Sequence, residues 1–197
     1  KLFNPRVFEQ SMQFQPGDLY SRKDHNTSLS RLISLGNFKF VKNRFQPVTD
    51  SGELKLNAFY YLTPLPRKSL RAELTGTSKT NNLTGSQLTA GWRNRNTFGG
   101  AEQLSINIFA GTEVQISGNF GKSNTYRVGG EVNLSFPRFI VPFITINRRG
   151  EFVPRTNALL GYEMLNRQSL YTLHSFRGNY GYTWKESLQK EHQLNPM

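Results

Sequence analysis

The stretch from Leu70 to Ile116 constrains the fold more than any other feature, because polarity alternates residue by residue through three successive segments. In the longest segment, the even-numbered residues from Leu104 onwards are mostly apolar and the odd-numbered residues from Gln103 onwards are mostly polar. A β-strand has a side-chain period of two, so each segment is predicted to be a strand with one apolar and one polar face. Alternation alone fits both a soluble sandwich and a membrane barrel, whose apolar face meets lipid.

Further strands are predicted on both sides of Pro137–Phe143, which interrupts the pattern because proline cannot donate to a ladder. With the three segments above they make six strands: Leu70–Thr77, Gln87–Arg93, Gln103–Ile116, Tyr126–Phe136, Thr156–Leu165 and Leu170–Trp184. The last ends in Tyr180, Tyr182 and Trp184 on one parity, as an interfacial aromatic belt does. A barrel of this type needs about eight strands or more, so we expect a longer parent protein, and the lack of a signal peptide at Lys1 points the same way.

Composition narrows the class of protein. The 197 residues are 36% hydrophobic with a mean hydropathy of -0.55, yet they include 15 Phe, 8 Tyr and 17 Gly, as in a polar-lined barrel with aromatic girdles. The formal charge of +12 also suits a nucleic-acid binder, although the charges are spread singly along the strands. No cysteine is present, which excludes disulfides and thiolate chemistry, and no run of about 18 apolar residues suggests a transmembrane helix.

The first 64 residues read as a helix-helix-strand-strand module. Asn4-Pro5 is a typical helix start, and a second helix is predicted from about Ser21 to a cap at Gly36. Its buried side is predicted to hold Leu29, Leu32, Ile33 and Leu35. Two strands follow, with Phe38, Phe40 and Phe45 in the first, a loop at Asp50-Ser51-Gly52, and Leu54, Leu56, Ala58 and Tyr60 in the second. Pro64 and Pro66 are predicted to form a stiff hinge.

Catalytic motifs are poorly represented. His25, His174 and His192 lack metal-ligand spacing, and Gly121-Lys122-Ser123 is similar to the end of a phosphate-binding loop but lacks the required earlier glycine. Carboxylates are isolated among basic residues, so no acid/base pair is predicted. We therefore expect neither an enzyme nor a cofactor or metal site.

Several segments resemble a known family. Phe14–Ser21 and Arg31–Val41, with a leucine-x-x-leucine-glycine-x-phenylalanine run, resemble part of a POTRA domain. The junction Leu62-Thr63-Pro64 and the run from Trp92 to Glu102 resemble the BamA/TamA superfamily of outer-membrane assembly factors, with its TamA-like lipoprotein branch closest. The chain departs from the family in two ways: no strand precedes Asn4, and the late valine-arginine-glycine-phenylalanine-type motif is absent.

The resemblance implies an α+β POTRA-like periplasmic domain over 1–64, lacking its first strand. Residues 65–197 would then be the first strands of an incomplete antiparallel up-and-down β-barrel, about six of roughly sixteen, in the bacterial outer membrane. The implied function is assembly, insertion or translocation of outer-membrane proteins by β-strand templating at a lateral gate. The implied partners are outer-membrane lipid, nascent outer-membrane proteins, and periplasmic or lipoprotein accessory subunits, but not nucleic acid.

A gate of this kind needs an unpaired strand edge, whose backbone groups can accept an incoming strand and are costly to leave unsatisfied in lipid. The candidate is the first barrel strand, about Lys68 to Thr80. This strand could also be an ordinary, permanently closed barrel strand, but the family resemblance favours the gate. The predicted gate residues are Leu70, Arg71, Ala72, Glu73, Leu74, Thr75, Gly76 and Thr77.

Two further candidate sites lie nearby. The first is on the two strands of the POTRA-like module. These strands either offer an edge to an extended periplasmic segment or simply pack in the core under the helices, and the residues concerned are Phe38, Phe40, Val41, Leu54 and Leu56. The second is the hairpin motif, which comprises Trp92, Arg93, Asn94, Arg95, Asn96, Phe98, Gly100, Ala101 and Glu102. In this motif, Arg93, Arg95 and Glu102 either hold the turn through charge-assisted hydrogen bonds or are solvated loop charges.

Two other functions remain open from the sequence. A passive porin-like channel would carry solute past the polar strand faces and keep a permanent seam between its first and last strands. A soluble basic β-rich domain would bind nucleic acid or acidic polysaccharide, with an affinity that falls steeply as salt is added.

Overall fold

A computed structural model of the protein describes residues 2–50, 52–79, 83–115, 124–141, 151–187 and 189–196. Two helices and two strands come first: α1 (Pro5–Ser11), α2 (Arg22–Ser34), β1 (Phe38–Asp50) and β2 (Glu53–Pro64). Seven more strands follow: β3 (Lys68–Ser78), β4 (Leu83–Asn94), β5 (Gln103–Gln115), β6 (Thr125–Phe136), β7 (Arg155–Arg167), β8 (Tyr171–Lys185) and β9 (Glu191–Leu194). The described part of the chain therefore forms mostly antiparallel β-structure with few helices, as predicted.

Local signals set the ends of both helices. The Asn4 side chain accepts from Arg6 N at 3.1 Å at the start of α1, and the Ser21 hydroxyl accepts from Asp24 N at 3.3 Å at the start of α2. Gly36 adopts a positive φ of 72° just after α2, a conformation that suits glycine. These predicted helix boundaries are confirmed.

The small apolar core of the described residues joins α1, α2 and β1 through Val7, Leu32, Leu35 and Phe38, and reaches Ala101 in the loop after β4. The prediction for Ile33 is wrong, because its side chain is 56% exposed. The buried side of α2 instead includes polar residues, namely His25, Ser28 and Arg31. Arg31 donates to Gln10 O at 3.0 Å near the end of α1, so a partly buried hydrogen bond joins the two helices.

β1 and β2 form a separate two-stranded sheet with a β-bulge near its start. Phe38 pairs with Pro64 and Phe40 pairs with Thr63, which leaves Lys39 as the extra residue. The bulge places Phe38 and Phe40 on opposite faces of the hairpin, so that Phe38 is buried whereas Phe40 is exposed.

The other seven strands form one antiparallel sheet in the order β3-β4-β5-β6-β7-β8-β9, so every strand pairs with its neighbours in sequence. Over the described residues the sheet is open, with β3 and β9 at its two borders. Six strands were expected; β9 is an additional one, pairing only with Tyr182–Lys185. Thr80, Ile116, Gly121-Lys122-Ser123 and Pro142-Phe143 lie outside the described residues.

The pairing brings residues of like polarity onto the same face of this sheet. Leu70, Trp92, Ile106, Val132 and Leu160 are aligned across five strands, and this side is called the apolar face below. Arg71, Gly91, Asn107, Glu131 and Gly161 are aligned on the other side, called the polar face. Neither helix of the described residues is long and apolar enough to cross a membrane.

Candidate functional site

The open edge of the sheet is formed by β3, which contains all eight predicted gate residues from Leu70 to Thr77. One side of β3 pairs with β4 along its whole length, from Lys68 opposite Asn94 to Ser78 opposite Thr84. No described strand pairs with its other side. Every second backbone position of β3 therefore presents N–H and C=O groups to whatever lies beyond the edge.

The side chains of β3 differ sharply between its two faces. Leu70 and Leu74 stand on the apolar face and are 78% and 75% exposed. On the polar face, Arg71 and Glu73 form an ion pair at 2.5 Å, which is solvent-exposed and so contributes little stability. An incoming strand at this edge would meet apolar residues on one side and polar residues on the other, which fixes its register by parity.

The hairpin motif forms the turn between β4 and β5, and four of its side chains are buried: Asn94, Asn96, Ala101 and Glu102. The Glu102 carboxylate accepts from Gly100 N at 2.8 Å, and the Asn96 side chain accepts from Ala101 N at 3.0 Å. Ala101 has a positive φ of 63°, which these bonds help to hold. Phe98 is exposed at the tip of the turn.

The two arginines of the motif differ in their surroundings. Arg95 donates to Pro66 O at 3.0 Å and to the Ser69 hydroxyl at 3.3 Å, and its backbone N–H donates to Arg67 O at 2.8 Å. These bonds fix the start of β3 against the end of β4. Arg93 is an exposed residue of the polar face, opposite Ser69 and Ser105.

The same turn binds the N-terminal module. Asn4 N donates to Gly99 O at 2.8 Å, and the Asn96 amide donates to Leu2 O. The buried Asn37 donates through its side chain to Arg95 O and accepts from Leu65 N at 2.8 Å through its carbonyl. The predicted hinge at Pro64–Pro66 is therefore hydrogen-bonded on both sides. A further bond runs from Arg155 in β7 to Ser34 O at the end of α2, at 3.0 Å.

The five residues predicted to form an edge of the module on β1 and β2 differ in burial along the hairpin. Phe38 and Val41 belong to the core or pack against it, near the start of β1. Phe40, Leu54 and Leu56 are exposed, the last two because they lie towards the hairpin tip. The β1–β2 sheet has no third strand among the described residues, so both of its outer edges lack a strand partner there.

Cross-strand polar contacts line the polar face. Asn107 donates to Glu131 at 3.0 Å, and Arg127 forms a two-point ion pair with Glu163 while its guanidinium lies 5.2 Å from the Phe109 ring centroid. Such fork-shaped pairs fix side-chain geometry as well as charge. Asn107 and Glu131, and likewise Arg127 and Glu163, thus have partners across the strands.

A strap at residues 137–141 covers one end of the apolar face, and sequence reasoning identified it only as an interruption. The buried Thr156 hydroxyl donates to Arg138 O at 2.7 Å and accepts from Ile140 N at 2.9 Å. Tyr180 and Tyr182, predicted as part of an aromatic belt, both donate to Ile140 O, at 2.7 and 3.0 Å. Phe139 packs against Tyr182 and Trp184, so the belt residues are held by this segment.

The three histidines are in separate places. His25 is buried against β1 and β2, with Nδ1 2.8 Å from the Tyr60 hydroxyl and Nε2 3.2 Å from the Asn43 amide. Burial raises the pKa of the Tyr60 hydroxyl, and Tyr20 raises it further. His174 contacts Tyr162, and His192 contacts Glu186 and Trp184. Among the described residues, no group of three or more potential ligands is placed to hold a metal ion.

Comparisons with known proteins identify a structural likeness. No family model matches the sequence, and no curated protein matches it. The structure is similar to a crystal structure of BamA from Haemophilus ducreyi lacking POTRA domains 1-3, with a TM-score of 0.47 and 11% identity. The match covers 98% of this chain and 46% of that one, so the chain spans about half of the length of that structure.

Proposed function

We propose that this chain belongs to an outer-membrane assembly factor whose β3 edge pairs with a strand of a nascent outer-membrane protein. The observation that supports it most is the edge itself: an eleven-residue strand with no partner on one side among the described residues. Pairing there would satisfy main-chain groups that are costly to leave unbonded in lipid. The function needs no chemical catalysis and no cofactor.

The apolar face supports a membrane location for the sheet. Leu70, Leu74, Leu160 and Phe176 are all more than 70% exposed on it, which is unfavourable for a sheet in water. In β6, the residues on the apolar face extend from Tyr126 to Phe136, a distance of about 34 Å along the strand. Tilted by the roughly 40° usual in such barrels, this span covers about 25 Å, the height of their apolar band.

We further assign residues 1–64 to a POTRA-like periplasmic domain and residues 65–197 to the first strands of the barrel. The exposed edges of β1 and β2 near Phe40, Leu54 and Leu56 would then receive an extended segment of a client or of an accessory subunit. Membership in the TamA-like branch remains a prediction. The hairpin motif from Trp92 to Glu102 would serve as the joint between the two parts.

Disulfide crosslinking in the full-length parent tests the gate, and the absence of native cysteines from this chain simplifies the labelling. Ala72→Cys on β3 is combined with single cysteines along the terminal strand of a client. Ala90→Cys is the matched control, because Ala90 lies directly opposite Ala72 but on β4, which is paired on both sides. Client crosslinks in one register from position 72, and none from position 90, are expected.

The polar face favours a second candidate, a porin-like channel, since Arg127, Glu163 and Asn107 would line an aqueous passage. A channel needs β3 to be permanently closed by the last strand of the parent. If Ala72→Cys crosslinks only to that strand under any client load, the assembly function is wrong and the channel is supported.

A further inference from the structure

The β1–β2 hairpin carries a surface in which basic and aromatic side chains alternate. Asn43, Phe45 and Tyr60 contact His25, so residues of their parity face the helices. The opposite side, called the outer hairpin face, holds Phe40, Lys42, Arg44, Lys55, Phe59 and Tyr61, all of them exposed.

The strand register places cations beside apolar groups on this face. Lys42 is paired with Tyr61, Arg44 with Phe59, and Lys55 with Val48. The stretches 40–48 and 55–63 contain no Asp or Glu. Asp50 and Glu53 lie at the hairpin tip at register positions of this face, so its basic part is the half nearer the β4–β5 turn, around Lys42 and Arg44. In that half, Lys and Arg combine with Phe and Tyr without a carboxylate, which is complementary to phosphate headgroups with acyl chains beneath them.

The position of the face in the chain suits such a partner. β1 begins directly after Asn37, which is bonded to the β4–β5 turn, so Arg44 lies within about 25 Å of that joint along the strand. If the apolar face of the large sheet crosses a bilayer, as the proposed function requires, the joint lies beside the membrane surface. Tethering then makes docking of the hairpin an intramolecular event with a high effective concentration.

We propose that the outer hairpin face docks on the anionic phospholipid surface of the leaflet next to the module. Lys42 and Arg44 bind lipid phosphates, and Phe40, Phe59 and Tyr61 insert among the headgroups. This inference rests on the proposed membrane location and adds a lipid-binding surface that sets the orientation of the module. Each cation near an anionic surface contributes about fivefold to partitioning, so Lys42 and Arg44 together contribute roughly 25-fold.

Fluorescence quenching in reconstituted vesicles tests this docking. The full chain carries a fluorophore at Asn57→Cys on the outer hairpin face, or at Asn26→Cys on the exposed side of α2, and headgroup-nitroxide lipids act as quencher. We expect quenching at position 57 in phosphatidylglycerol-containing vesicles, much less in phosphatidylcholine vesicles, and none at position 26. Lys42→Gln/Arg44→Gln should lower the docked-to-undocked ratio by about 25-fold, whereas Arg22→Gln/Lys23→Gln, with the same charge change, should leave it unaltered.

A label at Leu160→Cys separates this inference from the proposed function. Quenching there by acyl-chain nitroxides with none at position 57 would overturn the docking while leaving the membrane location intact. No quenching at position 160 would overturn the membrane location itself. Equal quenching at position 57 in both kinds of vesicle would also overturn the docking. A change in the fluorescence of this label on addition of polyglutamate, without vesicles, would overturn it in favour of an acidic polypeptide as the partner.

Discussion

At the scale of single residues, Gly129 lies where β6 passes closest to its neighbours. A β-carbon there would lie 2.5 Å from Phe109 Cζ and 2.7 Å from the Tyr162 backbone oxygen, and the backbone cannot yield without shifting β7. Gly129→Ala is therefore expected to lower the free energy of unfolding by about 1–3 kcal/mol in urea titrations. Gly161→Ala is the control on the same face, because its nearest contact is 3.7 Å, and equal losses for the two variants would contradict the packing argument.

Tyr60 provides a pH-dependent prediction at the same scale. Its pKa is raised in the folded protein by burial and by Tyr20, so its contribution to stability is fully present below the unfolded value of about 10 and is lost as pH rises through the folded pKa. Tyr60→Phe also loses the hydrogen bond to His25, worth about 1 kcal/mol. The stability difference between wild type and Tyr60→Phe should shrink between pH 8 and pH 11, and a difference that stays constant would argue against the shift.

At the scale of secondary-structure elements, the bulge in β1 leads to a prediction about the stability of two single-residue deletions. Removing Lys39 leaves Phe38, Phe40 and Val41 opposite the same partners, so the strand becomes regular and keeps its register. Removing Lys42 also absorbs the bulge, but it moves Val41 to the exposed face and puts the larger Phe40 opposite Leu62 in its place, at a cost of about 1–3 kcal/mol. Urea titrations of both deletions should show the second to be much less stable, and equal stability would contradict the assigned register.

Alternation predicted the elements better than it predicted their partners. The parity of Leu70, Leu104 and Leu160 follows directly from a period of two, and the pairing then aligns them on one face. The bulge at Lys39 could not be predicted, because alternation assumes one residue opposite each partner. β9 has three polar residues followed by Leu194, too few for a recognisable pattern, and only its pairing with Tyr182–Lys185 identifies it as a strand.

For the candidate site too, the sequence predicted the elements but not how they pair or pack. Alternation placed Leu70–Thr77 in a strand, but that this strand is the outermost of its sheet follows from pairing, which involves residues distant in sequence. The hairpin motif was recognised as a run of residues, whereas the bonds from Asn96 to Leu2 and from Asn37 to Arg95 depend on how the module packs against the turn.

At the scale of the whole molecule, two adjacent leucines distinguish a membrane sheet from a soluble one. Leu160 projects from the apolar face and is 71% exposed, while Leu159 lies on the polar face opposite Asn133 and Asn179. If the proposed membrane location is right, acyl-chain nitroxides in vesicles should quench a fluorophore at Leu160→Cys strongly and one at Leu159→Cys weakly, because only the apolar face of such a sheet meets lipid. The two residues share strand and depth, so equal quenching would mean that the sheet lies in water or on the membrane surface, and the assembly function would have to be abandoned together with the channel.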